Sequence, residues 1–107
     1  MNIDYKRIDY KSLSNDYRLL FEFADFMQYV IIDTVDYRAQ LKRGEYNSTP
    51  NDLIFISKCL AKYRRTLNSC KKHLKTDDIN LLRTIKYTGG FYCTKKLTNF
   101  LKEINFE

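Results

Sequence analysis

From Leu53 onward, apolar residues recur in strict alternating steps of three and four: Leu53, Ile56, Leu60, Tyr63, Leu67, Cys70 and Leu74. A strand would set its inward residues two apart, whereas an α-helix returns to the same face every 3.6 residues. Seven positions in register therefore predict one long amphipathic helix with a single buried seam, and a seam of that length needs a long partner to cover it. The segment Thr49-Pro50-Asn51-Asp52 marks where the helix begins. Thr can accept a bond from an early backbone N–H, Pro suits the first helical position, and Asp answers the positive helix end. The helix is expected to run from Pro50 to about Leu74.

The partner precedes it. Leu20, Phe23, Met27, Val30, Thr34, Tyr37 and Leu41 alternate in the same way, and Leu19, Phe26 and Ile31 widen the seam. A helix from Asp16 to about Arg43 is predicted, with Ser14 or Asn15 as its cap and Gly44 at its C-terminal stop. Opposite the seam lies an acidic line of Glu22, Asp25 and Asp36, with Asp33 near it. Tyr29-Val30-Ile31-Ile32 is the one stretch with strand propensity. The loop from Glu45 to Ser48 is short, so the two helices should form an antiparallel hairpin.

Two shorter helices should follow. Thr76-Asp77-Asp78 starts the first, with Thr76 as cap and Ile79, Leu82 and Ile85 inward; Tyr87-Thr88-Gly89-Gly90 stops it. Thr94 caps the second, which carries Leu97, Phe100, Leu101 and Ile104 inward and runs to about Asn105. The lead-in, residues 1–13, repeats Ile-Asp-Tyr-Lys at Ile3–Lys6 and Ile8–Lys11, a period of five that fits neither a helix face nor a strand. It should be poorly structured or hold one short helix. The expected architecture is all-α: a small bundle of four helices, or five with the lead-in, in a single domain of 107 residues built on the hairpin.

Several function classes are excluded by what is missing. The most apolar stretch, residues 26–35, is far too short to span a bilayer, and no secretory leader pattern is visible. A soluble, cytoplasmic protein is expected, in host cytoplasm if viral. The abundance of Lys, Ile, Asn, Tyr and Phe points to AT-rich coding and a phage or mobile-element origin. Cys59, Cys70 and Cys93 are odd in number with no CxxC pair, and His73 is the sole histidine. Structural zinc wants four ligands, and Cys-His nucleophiles want an orienting acid that this neighbourhood lacks. Acidic pairs are explained by helix starts and solvated faces. The expectation is no enzyme, no metal, no cofactor and no small-molecule substrate.

Charge is the remaining signal. Residues 1–53 hold 7 basic and 9 acidic side chains, and residues 54–107 hold 12 and 4. No acid occurs between Asp52 and Asp77. Lys58, Lys62, Arg65 and Lys72 fall on the helix face opposite the seam, where they can track phosphates. The same stripe is equally a solvated face, answered by acids of the first long helix or of a dimer mate, or a match for an acidic protein surface. Residues 81–101, an apolar helix ending at paired glycines before a Thr-capped second helix, resemble the helix-turn-helix of winged-helix regulators. The resemblance implies that Lys95, Lys96 and Asn99 face the major groove. That family's β-wing has no counterpart before Glu107, and a packing hairpin would read the same way. Tyr46, Tyr87 and Tyr92 are better placed than the other tyrosines to be exposed and available to a partner, with internal packing the competing, slightly favoured reading for each. The function expected is a small regulatory or accessory protein that binds nucleic acid. The alternative is an inhibitor or adaptor that docks on a nucleic-acid-handling protein complex; a subunit that packs by its hairpin, as a homodimer for instance, is a third reading.

Overall fold

The structure, a computed structural model, describes residues 8–106. The first Ile-Asp-Tyr-Lys copy therefore lies outside the described residues. Five helices and no strand occur among those residues: α1 (Tyr10–Leu13), α2 (Tyr17–Lys42), α3 (Pro50–Lys71), α4 (Thr76–Thr84) and α5 (Lys95–Glu103). The all-α bundle on a long hairpin is as the apolar spacing requires, and α2·α3 is its dominant packing.

Local chemistry explains the helix boundaries. At α3, Thr49 and Asp52 form a reciprocal capping box: the Asp52 N–H donates to Thr49 Oγ1 and the Thr49 N–H donates to Asp52 Oδ2. At α2 the cap is Asp16, whose carboxylate accepts from Leu19 N, and neither Ser14 nor Asn15 takes that role. Gly44 ends α2 at φ +76°, with the Glu45 N–H reaching Gln40 O and the Gly44 N–H reaching Leu41 O. That double bond pattern needs a left-handed residue at this point, which is why glycine stands there. Asn105, at φ +58°, ends α5 in the same way, with Phe106 N donating to Leu101 O.

Thr76 does not cap α4; it is the first helical residue, after Lys75. The start is held from outside instead. Tyr17 Oη accepts from Lys75 N at 2.9 Å and donates to the Asp78 carboxylate, while the Lys75 ammonium sits over the Tyr17 ring. A long-range tyrosine replaces a local cap, which no local pattern announces.

The core gathers residues from all five helices around α2, with Leu20, Phe23, Ala24 and Met27 fully buried. Two threonines sit at buried helix positions because each hydroxyl donates back one turn, Thr34 to Val30 O and Thr66 to Lys62 O. The core lies at one end of the hairpin. The first half of α2 and the second half of α3 supply most of it, and α1, α4 and α5 pack on α2. The other end, residues 31–42 and 50–61, projects as a two-helix arm.

Candidate binding surfaces on the helical hairpin

The acidic line on α2 is partly spent within the molecule. Residues 85–94 leave α4, cross the outer face of α2 and enter α5 as a strap. The Tyr87 hydroxyl donates to the Asp25 carboxylate, and Thr94 Oγ1 donates to Glu22 Oε2 at 2.9 Å while capping α5 at Leu97 N. Tyr29 and Phe91 stack, Tyr87 lies tilted against both, and Phe26 meets both Phe91 and Phe106 edge-on. Burial, then its bond to Asp25, raises the Tyr87 pKa; burial raises the Asp25 pKa as well, opposed by the Tyr87 bond. Tyr87 is therefore a half-buried anchor, not an exposed contact. Tyr92, on the same strap, is 86% exposed.

The strap also bears on the helix-turn-helix resemblance. Ten residues separate α4 from α5, where such motifs use a turn of three or four. Both helices pack on α2. Gly89 and Gly90, at φ +104° and +111°, turn the strap between Tyr87 and Phe91. Of the three residues that the resemblance points to groove contact, Lys95 and Asn99 are exposed at the start of α5, while Lys96 is ion-paired with Asp16. That pair, with the Leu19 bond, holds the Asp16 pKa below its usual range.

On α3 the four basic residues fall on the face turned away from α2. Lys58, Arg65 and Lys72 are exposed and Lys62 is half-buried. Among the described residues, no carboxylate lies within ion-pair distance of Lys58, Lys62 or Lys72. From Lys58 to Lys72 this ridge is about 21 Å long.

The arm carries a second surface that the seam did not disclose. Five large apolar side chains on it are exposed: Ile32, Tyr46, Ile54, Phe55 and Tyr37, the last placed inward by the seam of α2 but 42% exposed because α1, α4 and α5 pack at the other end of the hairpin. Between its helices lies a cavity of about 260 Å³ whose walls include Tyr37 and Phe55, with Tyr63 at its floor and Asp33 and Asp36 contributing carboxylates. Gln40 Nε2 donates to Asp36 at 3.1 Å and orients it. No lysine or arginine lines the cavity, although the chain is +6 overall. The Tyr63 hydroxyl is buried without a hydrogen-bond partner among the described residues, and burial, with Cys59 beside it, pushes it up to about 12. The signal available in the sequence was Ile54-Phe55, a bulky apolar pair off the seam of α3.

No group of His, Cys, Asp and Glu suited to a metal occurs among the described residues, and no helix there is long and apolar enough to cross a membrane. No protein-family model, curated protein or solved structure matches the chain.

Proposed function

We propose that this chain is a non-enzymatic accessory protein that binds nucleic acid through the outer ridge of α3, by contact with phosphates. The observation that carries the reading is the continuity of the ridge. Lys58, Lys62, Arg65 and Lys72 lie along one helix in a stretch without a single acid from Leu53 to Thr76, and Lys58, Lys62 and Lys72 lack any ion-pair partner among the described residues. Over about 21 Å of axis, duplex DNA presents roughly 12 phosphate charges, so four cations on a straight helix neutralise only a few of them. Binding of this kind is weak and independent of base sequence, with dissociation constants of about 10⁻⁴ to 10⁻⁶ M at physiological salt. Lys95 and Asn99 on α5 sit on a separate helix and would add a second contact without a groove-reading geometry.

The test is anisotropy of a labelled duplex and a labelled single strand over a salt series. Four phosphate contacts predict a log–log slope of about −3.6 on duplex, and Lys58→Ala/Lys72→Ala should flatten it by about 2. Absence of binding at low salt would end this reading. It would leave the alternative, docking on a protein, which the exposed apolar side chains of the arm favour. That alternative predicts a stoichiometric protein complex that survives nuclease treatment and is lost on Ile54→Asp.

A further inference from the structure

We infer that the groove between the two helices of the arm is a binding site for a linear aliphatic polyamine. The chemistry of its walls selects that ligand. In the first cavity, Asp33 and Asp36 stand one turn apart on α2, with Cβ atoms about 5–6 Å apart, and both present carboxylate oxygens. Gln40 donates an amide N–H to Asp36 at 3.1 Å, leaving its side-chain carbonyl to accept. Thr34 gives its hydroxyl proton to Val30 O at 2.6 Å. At the floor, Tyr63 is 2% exposed, and its hydroxyl has no hydrogen-bond partner among the described residues. A helical side chain leans toward the N-terminus, here toward Cys59, which lies beside the hydroxyl and is itself a cavity wall. The polar end of Tyr63 therefore faces the groove. Among the described residues, no lysine or arginine lines the cavity. The walls present acceptors, so a ligand must bring the donors and the positive charge.

An ammonium group meets each of these demands. Its N–H donors can be shared among Asp33, Asp36 and the Tyr63 oxygen, and its charge is matched locally although the chain is +6 overall. An anion finds no cation among the walls, and an apolar guest would strip water from two carboxylates without pairing them. A bare metal ion lacks ligands, since no group of three or more His, Cys, Asp or Glu suited to a metal occurs among the described residues. The middle of the groove suits methylenes. Tyr37, Phe55 and Ile56 are shared with a second cavity of about 270 Å³, which continues toward the hairpin turn as far as Leu41, Asn47 and Asp52. Asp52 Oδ2 accepts from the Thr49 N–H in the capping box, and Oδ1 is left to face a ligand. No lysine or arginine of the described residues lines this cavity either. From Asp33 to Leu41 the groove follows α2 for about 12 Å. Carboxylates at both ends of an aromatic trough match a chain with an ammonium at each end, and cation–π contact with Tyr37 and Phe55 adds to the attraction. No motif announced this site, because its walls come from two helices.

This inference does not rest on nucleic-acid binding, because the groove shares no side chain with the ridge. Spermidine titrated into the ¹⁵N-labelled full chain, without nucleic acid and at low salt, should give saturable amide shifts around Asp33, Asp36, Tyr37, Phe55 and Cys59. Butylamine, with one charged end, should bind about tenfold more weakly or worse, and magnesium ion should not reproduce the pattern. Asp33→Asn/Asp36→Asn should weaken spermidine about tenfold, as expected for charge-assisted bonds to exposed carboxylates. Tyr63→Phe should weaken it about threefold, yet leave the unliganded protein as stable as before or more so in urea, because the hydroxyl removed is unpaired. A tyrosine with a purely structural role would not separate the two readouts. The inference is overturned if millimolar spermidine gives no saturable shift in the groove, or if magnesium shifts the same amides with the same midpoint. It is equally overturned if the double asparagine variant binds spermidine as the wild type does while remaining folded.

Discussion

Removing the Tyr87 hydroxyl tests how the strap is fastened to α2. In Tyr87→Phe the ring keeps its place beside Tyr29 and Phe91, so the apolar burial is retained. What is lost is the donation of a half-buried hydroxyl to the Asp25 carboxylate, shared with the Asp25 backbone carbonyl at 3.1 Å. Hydrogen bonds to charged groups contribute about 1.5–3 kcal/mol, and the half-exposed setting favours the lower end, about 1.5–2 kcal/mol at neutral pH. For a domain of this size that is a fall in Tm of roughly 7–9 °C. The pH dependence supplies a second check. Burial raises the Asp25 pKa in the folded state, and the Tyr87 bond works against that rise. A raised carboxylate pKa means that protonation favours the folded state: its contribution is full below the unfolded value and is lost as pH rises through the folded value. Without Tyr87 to hold the charged form, the Asp25 pKa moves higher still. The variant should therefore lose most stability near pH 7 and approach wild type once Asp25 is protonated. Urea unfolding at about pH 7 and pH 3, with Asp25→Asn and the double variant to close a cycle, reads the coupling directly. A deficit under about 0.5 kcal/mol at neutral pH, or one equal at both pH values, would refute this account of the strap.

Other outcomes follow from single contacts. Thr49→Ala removes half of the capping box on α3 and should cost about 1 kcal/mol by urea unfolding, with Thr49→Asp close to neutral. Gly89→Ala meets no neighbour within 4 Å, so its cost is purely the backbone penalty of φ +104°, about 1–3 kcal/mol, and a neutral effect would mean that the strap turns elsewhere. Toward maleimide at pH 8, Cys93 should react first and Cys70 only on unfolding, because burial pushes the Cys70 thiol up to about 12; mass spectrometry of partially labelled protein decides the order.

What the sequence disclosed and what it hid divide along the range of the interactions. The alternating seams, the Thr49–Asp52 box, the Thr94 cap and the Gly44 stop are encoded within a few residues, and each appears where periodicity and capping chemistry put it, except that Tyr37 of the α2 seam is exposed. The start of α4 depends on Tyr17, 58 residues from Lys75, and no local rule reaches that far. Glu22 and Asp25 read as a solvated acidic face because they share a helix side with Asp36; the strap that uses them folds back from 62 and 72 residues away. For the same reason the segment after α4 reads as a tight turn between two helices, although its aromatics span the outer face of α2. The ridge on α3 was legible, since a basic stripe opposite an apolar seam needs only the helical period. The groove on the arm was not, because it depends on how far the core extends along the hairpin.

The claim on which the rest stands is that the ridge of α3 is where phosphates bind. Titration of a short duplex into ¹⁵N-labelled protein at low salt, followed by amide shifts, maps that contact residue by residue. The account predicts a continuous set of shifts along the outer face of α3, around Lys58, Lys62, Arg65, Ser69 and Lys72, that fades as salt is raised. Shifts confined to the strap and α5, or none at all, would contradict it.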